Sequence, residues 1–263
     1  MASLCGPLVD LFNSTAWAQH RVSDKVSDHR YELMYGLFLM PMLLLGRHAK
    51  HPPTAHKLKM LEIGLGCNMN YGPGASVQLW RNLFPHVEVW EAEYDANCVA
   101  RSRARGLLNG INVLVGDQAD RSTLRRWVNE SGGEFDVIID DGGHSNRQIL
   151  TSFEELWPHV RPGGLYFFED LHVGRHPSAS DPNVPIVSDV LQAWIEQLLI
   201  HQVGPRYRMN GDAHEYAKWV RSQRHDRGFA QARARALEHP LPEGVATVSC
   251  QPQACVVAKA CGE

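Results

Sequence analysis

From residue 58 onward, five short apolar runs alternate with four amphipathic stretches, and no other feature limits the fold as tightly. "LKMLEIGLG", "VEVWEAEYD", "INVLVGDQAD", "FDVIIDDGGH" and "GGLYFFEDLH" read as strands. "ASVQLWRNLF", "ANCVARSRARGLL", "STLRRWVNE" and "NRQILTSFEELWPHV" read as the helices between them. Short buried strands joined by helices need a parallel sheet covered on both faces. The end of the chain breaks the rhythm. "GVATVSCQPQACVVAKA" holds two β-rich runs around a turn at Gln251 to Gln253, which predicts an antiparallel hairpin on the sheet's edge. The expected fold class is therefore α/β, a mostly parallel sheet with an antiparallel C-terminal hairpin.

Residues 1–47 read as helical, with polar breaks around Ser23 to Asp28, and "RHAKHPPTAHK" reads as an extended linker because a Pro-Pro pair stops a helix. This divides the chain into a helical cap and linker over 1–57 and an α/β domain over 58–263. The apolar window "LFLMPMLLL" is nine residues long and contains Pro41, against about 20 for a membrane span, so it is assigned to a core-facing helix. The first residues carry no basic stretch followed by an apolar core, so no secretory leader is expected. Net charge is −3, without the basic footprint of a nucleic-acid binder. The six cysteines show neither a C-x-x-C pair nor zinc spacing, which predicts free thiols in a reducing, cytoplasmic setting.

Ligands of open α/β sheets bind outside the carboxyl ends of the strands, so the residues there carry the functional reading. After the first strand, Glu62, Gly64 and Gly66 form an E-x-G-x-G turn through which a ligand can approach the backbone. Asn68 stands where a dinucleotide fingerprint has its third glycine, which argues against a pyrophosphate cradle. After the second strand Glu91, Glu93 and Asp95 alternate, and by register Glu93 is placed to take a ribose hydroxyl. Asp117 and Gln118 follow the third strand, within reach of an adenine edge. Together these ends describe a nucleoside pocket. The fourth strand supplies Asp140, Asp141 and His144, and the fifth Glu169 and Asp170. Asp141, Glu169 and Asp170 would converge on one point, and carboxylates without thiols suit a hard cation such as Mg²⁺.

The combination of "LEIGLG", "GDQAD", "DDGGH" and "FFEDLH" resembles the class I S-adenosylmethionine-dependent methyltransferases. More narrowly, it is similar to the Mg²⁺-dependent sugar O-methyltransferases of macrolide and aminocoumarin antibiotic pathways. "SDKVSDHRYELMY" resembles that family's D-K-x-x-x-H-x-Y segment, which closes over the cofactor. The resemblance covers 23–172 and 245–260, and the spacing of 28 between Asp141 and Glu169 is its most specific part. It implies a Rossmann-like sheet with S-adenosyl-L-methionine and Mg²⁺ as cofactors. Asp141, Glu169 and Asp170 become the metal ligands and His144 the general base, while Glu62 and Gly64 line the methionine end. Glu93 holds the ribose, Asp117 and Gln118 bracket the adenine, and Asp140 faces the cofactor. The partner is a small hydroxylated molecule, with neither nucleic acid nor membrane involved.

The segment after Asp170 does not align with the family. It is expected to roof the substrate site as a lid over about 171–240, with His172 and His176 as extra bases or surface histidines. The Arg-rich 205–240 could cover the site or form a homo-oligomer contact. Competing readings are a catechol or phenol O-methyltransferase, an inactive methyltransferase-like binding module, an NAD-dependent dehydrogenase and a nucleic-acid methyltransferase. Asn68 and the second acidic cluster disfavour the dehydrogenase. The last is disfavoured by the absence of an N-P-P-Y-type motif and of a basic surface. An intact acid set with His144 disfavours the inactive module.

Overall fold

A computed structural model describes residues 6–45, 57–179, 181–201 and 234–262. Seven strands form one sheet in the order β3-β2-β1-β4-β5-β7-β6. β1 (Lys59–Ile63), β2 (Glu88–Glu93), β3 (Asn112–Val115), β4 (Phe135–Asp140) and β5 (Val160–Phe168) run parallel. β6 (Val245–Gln251) and β7 (Ala254–Lys259) form the antiparallel hairpin, with β7 paired to β5 and β6 at the edge. Between the parallel strands lie α5 (Ala75–Leu83), α6 (Ala96–Ala104), α7 (Arg121–Ser131) and α8 (Asn146–Leu156). The helix starts follow local chemistry. Asp95 and Asp120 accept backbone N–H bonds at the caps of α6 and α7, and Ser145 with Gln148 forms a capping box on α8.

Successive strand residues point to opposite faces, and both faces are dry. On one side Phe135, Ile138, Tyr166 and Phe168 pack with Trp127 of α7 and with Ile149 and Phe153 of α8. On the other, Val137, Ile139, Leu165 and Phe167 pack with Trp80 of α5 and with Phe12, Tyr31, Tyr35 and Leu39 from the N-terminal segment. The helices before the linker are thus part of the sheet's own core.

That N-terminal segment is more divided than its composition predicts. α1 (Gly6–Trp17) is followed by a short α2 (Asp24–Ser27), capped by the Ser23 hydroxyl, where polar residues suggested a break. Arg30 then takes a left-handed φ of 59° and turns the chain into α3 (Glu32–Met34). α3 passes through a π turn (Tyr35–Leu39) into α4 (Met40–Leu45). Pro41 explains the wide turn: it lacks an N–H, and its ring crowds the carbonyl four residues earlier. Most of the predicted linker, 47–56, lies outside the described residues.

Two expectations change. Cys67–Cys98 and Cys250–Cys255 are disulfides, and Cys261 is free, so the thiols no longer argue for a reducing compartment. The first pair brings together residues 31 apart in sequence and the second sits face to face across the hairpin, and neither spacing resembles a motif. Within the segment expected to roof the site, α9 (Val187–His201) packs Val190, Leu191 and Trp194 into the core instead. Residues 202–233 of the expected lid lie outside the described residues. No described helix is long and apolar enough to cross a membrane.

Candidate active site

The chain leaves β1 toward β2 and β3 on one side and returns to β4 and β5 on the other, so the crevice opens between the ends of β1 and β4. Sheet-like hydrogen bonds continue past the strand ends and fix the residues there. Gly64 N donates to Ala92 O (2.8 Å), Asp141 N to Ile63 O (3.0 Å) and Glu169 N to Asp140 O (3.0 Å). Gly64 has a φ of 112°, and a Cβ on it would fall 2.0 Å from the Asp141 carbonyl oxygen. Only glycine allows this approach. The resulting cleft holds about 600 Å³, lined by Gly64 to Met69, Glu93 to Asp95, Gly116 to Gln118, Asp141 to His144 and Asp170, and by Ser23, Asp24 and His29 from the N-terminal segment.

In the half of the cleft beyond β1, β2 and β3, Gly64, Gly66, Glu93, Asp117 and Gln118 all reach the wall as predicted. Glu93 accepts Leu65 N at 3.1 Å and Asp95 N at 2.9 Å, which hold its carboxylate at the lip while lone pairs remain for a hydroxyl. Gln118 is pinned from both ends, donating to Asp140 Oδ1 at 2.9 Å and accepting Gly143 N at 2.6 Å.

Glu62 and Asp140 do not line the cleft, although both were expected to touch the cofactor. Asp140 is buried under the floor, accepting bonds from Gln118, Ser152 and the Tyr166 hydroxyl. Burial raises its pKa, against the lowering effect of those bonds. Glu62 is equally buried and accepts Ser76 Oγ and Trp80 Nε1, each at 2.8 Å. Both strands end in inward-facing acids, and alternation along a strand decides which member of each set sees solvent. Glu91, opposite Glu62 in the register, is also buried, and burial together with the charge of Glu62 holds its pKa well above the carboxylate range.

The other half of the cleft is acidic. Asp141, His144 and Asp170 offer ligand atoms that all lie within 4.8 Å of one another, with His144 Nε2 3.5 Å from Asp170 Oδ2. Glu169 is adjacent but only 2% exposed. A lysine that sequence reasoning did not single out stands among these acids. Lys25 Nζ, fully buried, lies 2.6 Å from Asp141 Oδ2, 2.8 Å from Glu169 Oε1 and 3.3 Å from Glu62 Oε1. Burial disfavours its charge, but Asp141 and Glu169 outweigh that and hold its pKa well above the ordinary lysine value. Burial also lifts Asp141, to about 6, and Lys25 limits the rise. Two tyrosines complete the set: Tyr31 donates to Asp170 Oδ1 at 2.7 Å, and Tyr35 donates to Glu169 Oε1. Asp170 itself has a left-handed φ of 53°, a strained backbone held by this surrounding. Lys25 and Tyr31 are the lysine and tyrosine of the D-K-x-x-x-H-x-Y segment, and Tyr35 follows Tyr31 at i,i+4 spacing.

A doubly wound sheet with an antiparallel final hairpin and a switch-point cleft is the Rossmann-like fold seen in methyltransferases. Residues 67–171 match the family described as "Methyltransferase domain". The chain is 33% identical over 146 residues to demethylmacrocin O-methyltransferase of Streptomyces fradiae, covering 55% of this chain and 35% of that protein. It is 37% identical over 123 residues to mycinamicin VI 2''-O-methyltransferase of Micromonospora griseorubida, covering 46% and 29%. Among solved structures, the methyltransferase MycE in complex with Mg, SAH and mycinamycin VI superposes with a TM-score of 0.63 at 22% identity, over 97% of this chain and 54% of that one. The fold is thus shared, while the chain spans about half the length of the MycE structure and matches about a third of the curated relatives.

Proposed function

We propose that the chain is an S-adenosyl-L-methionine- and Mg²⁺-dependent O-methyltransferase acting on a hydroxyl of a sugar or polyol moiety of a small secondary metabolite. The observation that carries this reading is the meeting of Asp141, His144 and Asp170 at the end of a cleft whose other half has Glu93 at the lip. The names of the similar proteins support the same chemistry.

The donor set fits a hard cation: oxygen atoms dominate and no thiol is among them. Asp141 and Asp170 would hold it, with Glu169 as the third acid. When bound, the cation lowers the pKa of an acceptor hydroxyl and orients it. His144 is assigned to the proton rather than to the metal, because a hard ion prefers the carboxylates and a positioned imidazole can accept a proton from an acceptor hydroxyl. The cleft also fits a nucleoside cofactor, which supplies the methyl group on its sulfonium. Glu93 would take the ribose hydroxyls, Gly64 and Gly66 leave backbone room beside it, and Asp117 and Gln118 frame the base. Glu62 and Asp140 act through others, Asp140 by fixing Gln118 and Glu62 by fixing Lys25 and Trp80. Bringing hydroxyl and methyl into line is the main contribution left to the protein.

Methyl transfer to a macrolide glycoside, with Mg²⁺ or with a chelator, tests the reading. Asp141→Ala should abolish turnover and keep S-adenosylhomocysteine binding, whereas Glu93→Ala should weaken that binding first. Full turnover by Asp141→Ala in chelator would refute the cation-dependent mechanism.

A further inference from the structure

Each of the three acids ending β4 and β5 gives one carboxylate oxygen to a donor from the N-terminal segment. Asp141 Oδ2 goes to Lys25, Glu169 Oε1 to Lys25 and Tyr35, and Asp170 Oδ1 to Tyr31. The second oxygens are treated differently. Asp141 Oδ1 and Glu169 Oε2 make no bond among the described residues, and Asp170 Oδ2 has only His144 Nε2, at 3.5 Å. The tyrosine at position 31 does more than donate. Its oxygen also accepts the Asp170 backbone N–H at 3.2 Å, bracing the residue whose backbone is strained. Tyr31 and Tyr35 lie one helical turn apart, so both hydroxyls leave the same face of the segment.

We infer that Tyr31 and Tyr35, with Lys25, are positioning residues of the divalent-cation site: together they fix one oxygen of each ligand acid and thereby aim the other at the cation. The inference rests on the cation-dependent reading above. Outer partners of this kind orient ligand groups, and losing one commonly weakens metal binding by about 10- to 100-fold. Docking of the segment around α2 and α3 and binding of the cation then favour each other by the same factor.

The test is Mn²⁺ binding to the full chain, followed by electron paramagnetic resonance, for the unaltered protein, Tyr31→Phe and Tyr35→Phe. Calorimetric titration with S-adenosylhomocysteine runs in parallel as a check on the cleft. Tyr31→Phe should weaken Mn²⁺ binding by about tenfold or more and change the spectrum of the bound ion, with S-adenosylhomocysteine affinity unchanged. Should Tyr31→Phe fail to fold, Tyr35→Phe carries the same test, because Glu169 keeps its bond to Lys25. Mn²⁺ affinities in both variants within about twofold of the unaltered protein would overturn the inference alone. An unaltered protein that binds no Mn²⁺ would overturn it together with the cation-dependent reading.

Discussion

Asp141 is the residue on which charge, burial and chemistry meet. Burial raises its pKa to about 6, Lys25 pulls it down and Glu62 pushes it up. The unfolded chain releases this proton near pH 4, so the proton is held more tightly in the fold. In chelator, that contribution to stability is fully present below about pH 4 and is lost as pH rises through about 6. A cation ligated by Asp141 would have to displace the same proton. Mn²⁺ affinity should therefore rise by up to about tenfold per unit between pH 5 and 6 and level off above, and titrations at several pH values check this. A flat profile would mean that Asp141 does not ligate. Asp141, Asp170 and His144 were legible in the sequence because strand-end positions project into the crevice of any such sheet. Lys25 was legible only as the lysine of the D-K-x-x-x-H-x-Y segment, because its contact with Asp141, 116 residues away, appears only when the segment docks. Asp140 and Glu62 were misplaced for a different reason: composition marks an acidic strand end, but only the pleat decides which acid is turned inward.

At the scale of elements, the parallel strands, their helices and the closing hairpin could be read from periodicity and turn residues. The N-terminal helices could not be read as finely. Pro41 forces a π turn that no hydropathy pattern encodes, and Arg30 in a left-handed conformation carries no glycine signal. The junction of β1 and β4 is the element contact on which the cleft depends, and it makes a sharp prediction. Gly64→Ala would place a Cβ 2.0 Å from the Asp141 carbonyl oxygen on a backbone with φ of 112°. The strain of an L-residue there is about 1–2 kcal/mol before any clash, so the total loss should exceed about 2 kcal/mol in urea unfolding. S-adenosylhomocysteine binding should fall with it. A variant of normal stability and affinity would show that the two strand ends can part without consequence.

For the whole molecule, the described helices before residue 46 share a core with β1, β4 and β5, so the expected cap is built into the domain. One consequence is that the acid cluster is assembled from the two ends of a long stretch of chain, with Lys25, Tyr31 and Tyr35 from one and Glu169 and Asp170 from the other. The matched family region, 67–171, begins after those N-terminal residues, so the site reaches beyond the family match. The central claim is that this assembly encloses a nucleoside cofactor beside a cation site, and calorimetric titration of the full chain with S-adenosylhomocysteine in Mg²⁺ tests it most directly. The account predicts micromolar binding, with thermal unfolding raised by about 2.7 kcal/mol of added stability at a hundredfold excess over Kd. Absence of heat from a chain shown to be folded would contradict it.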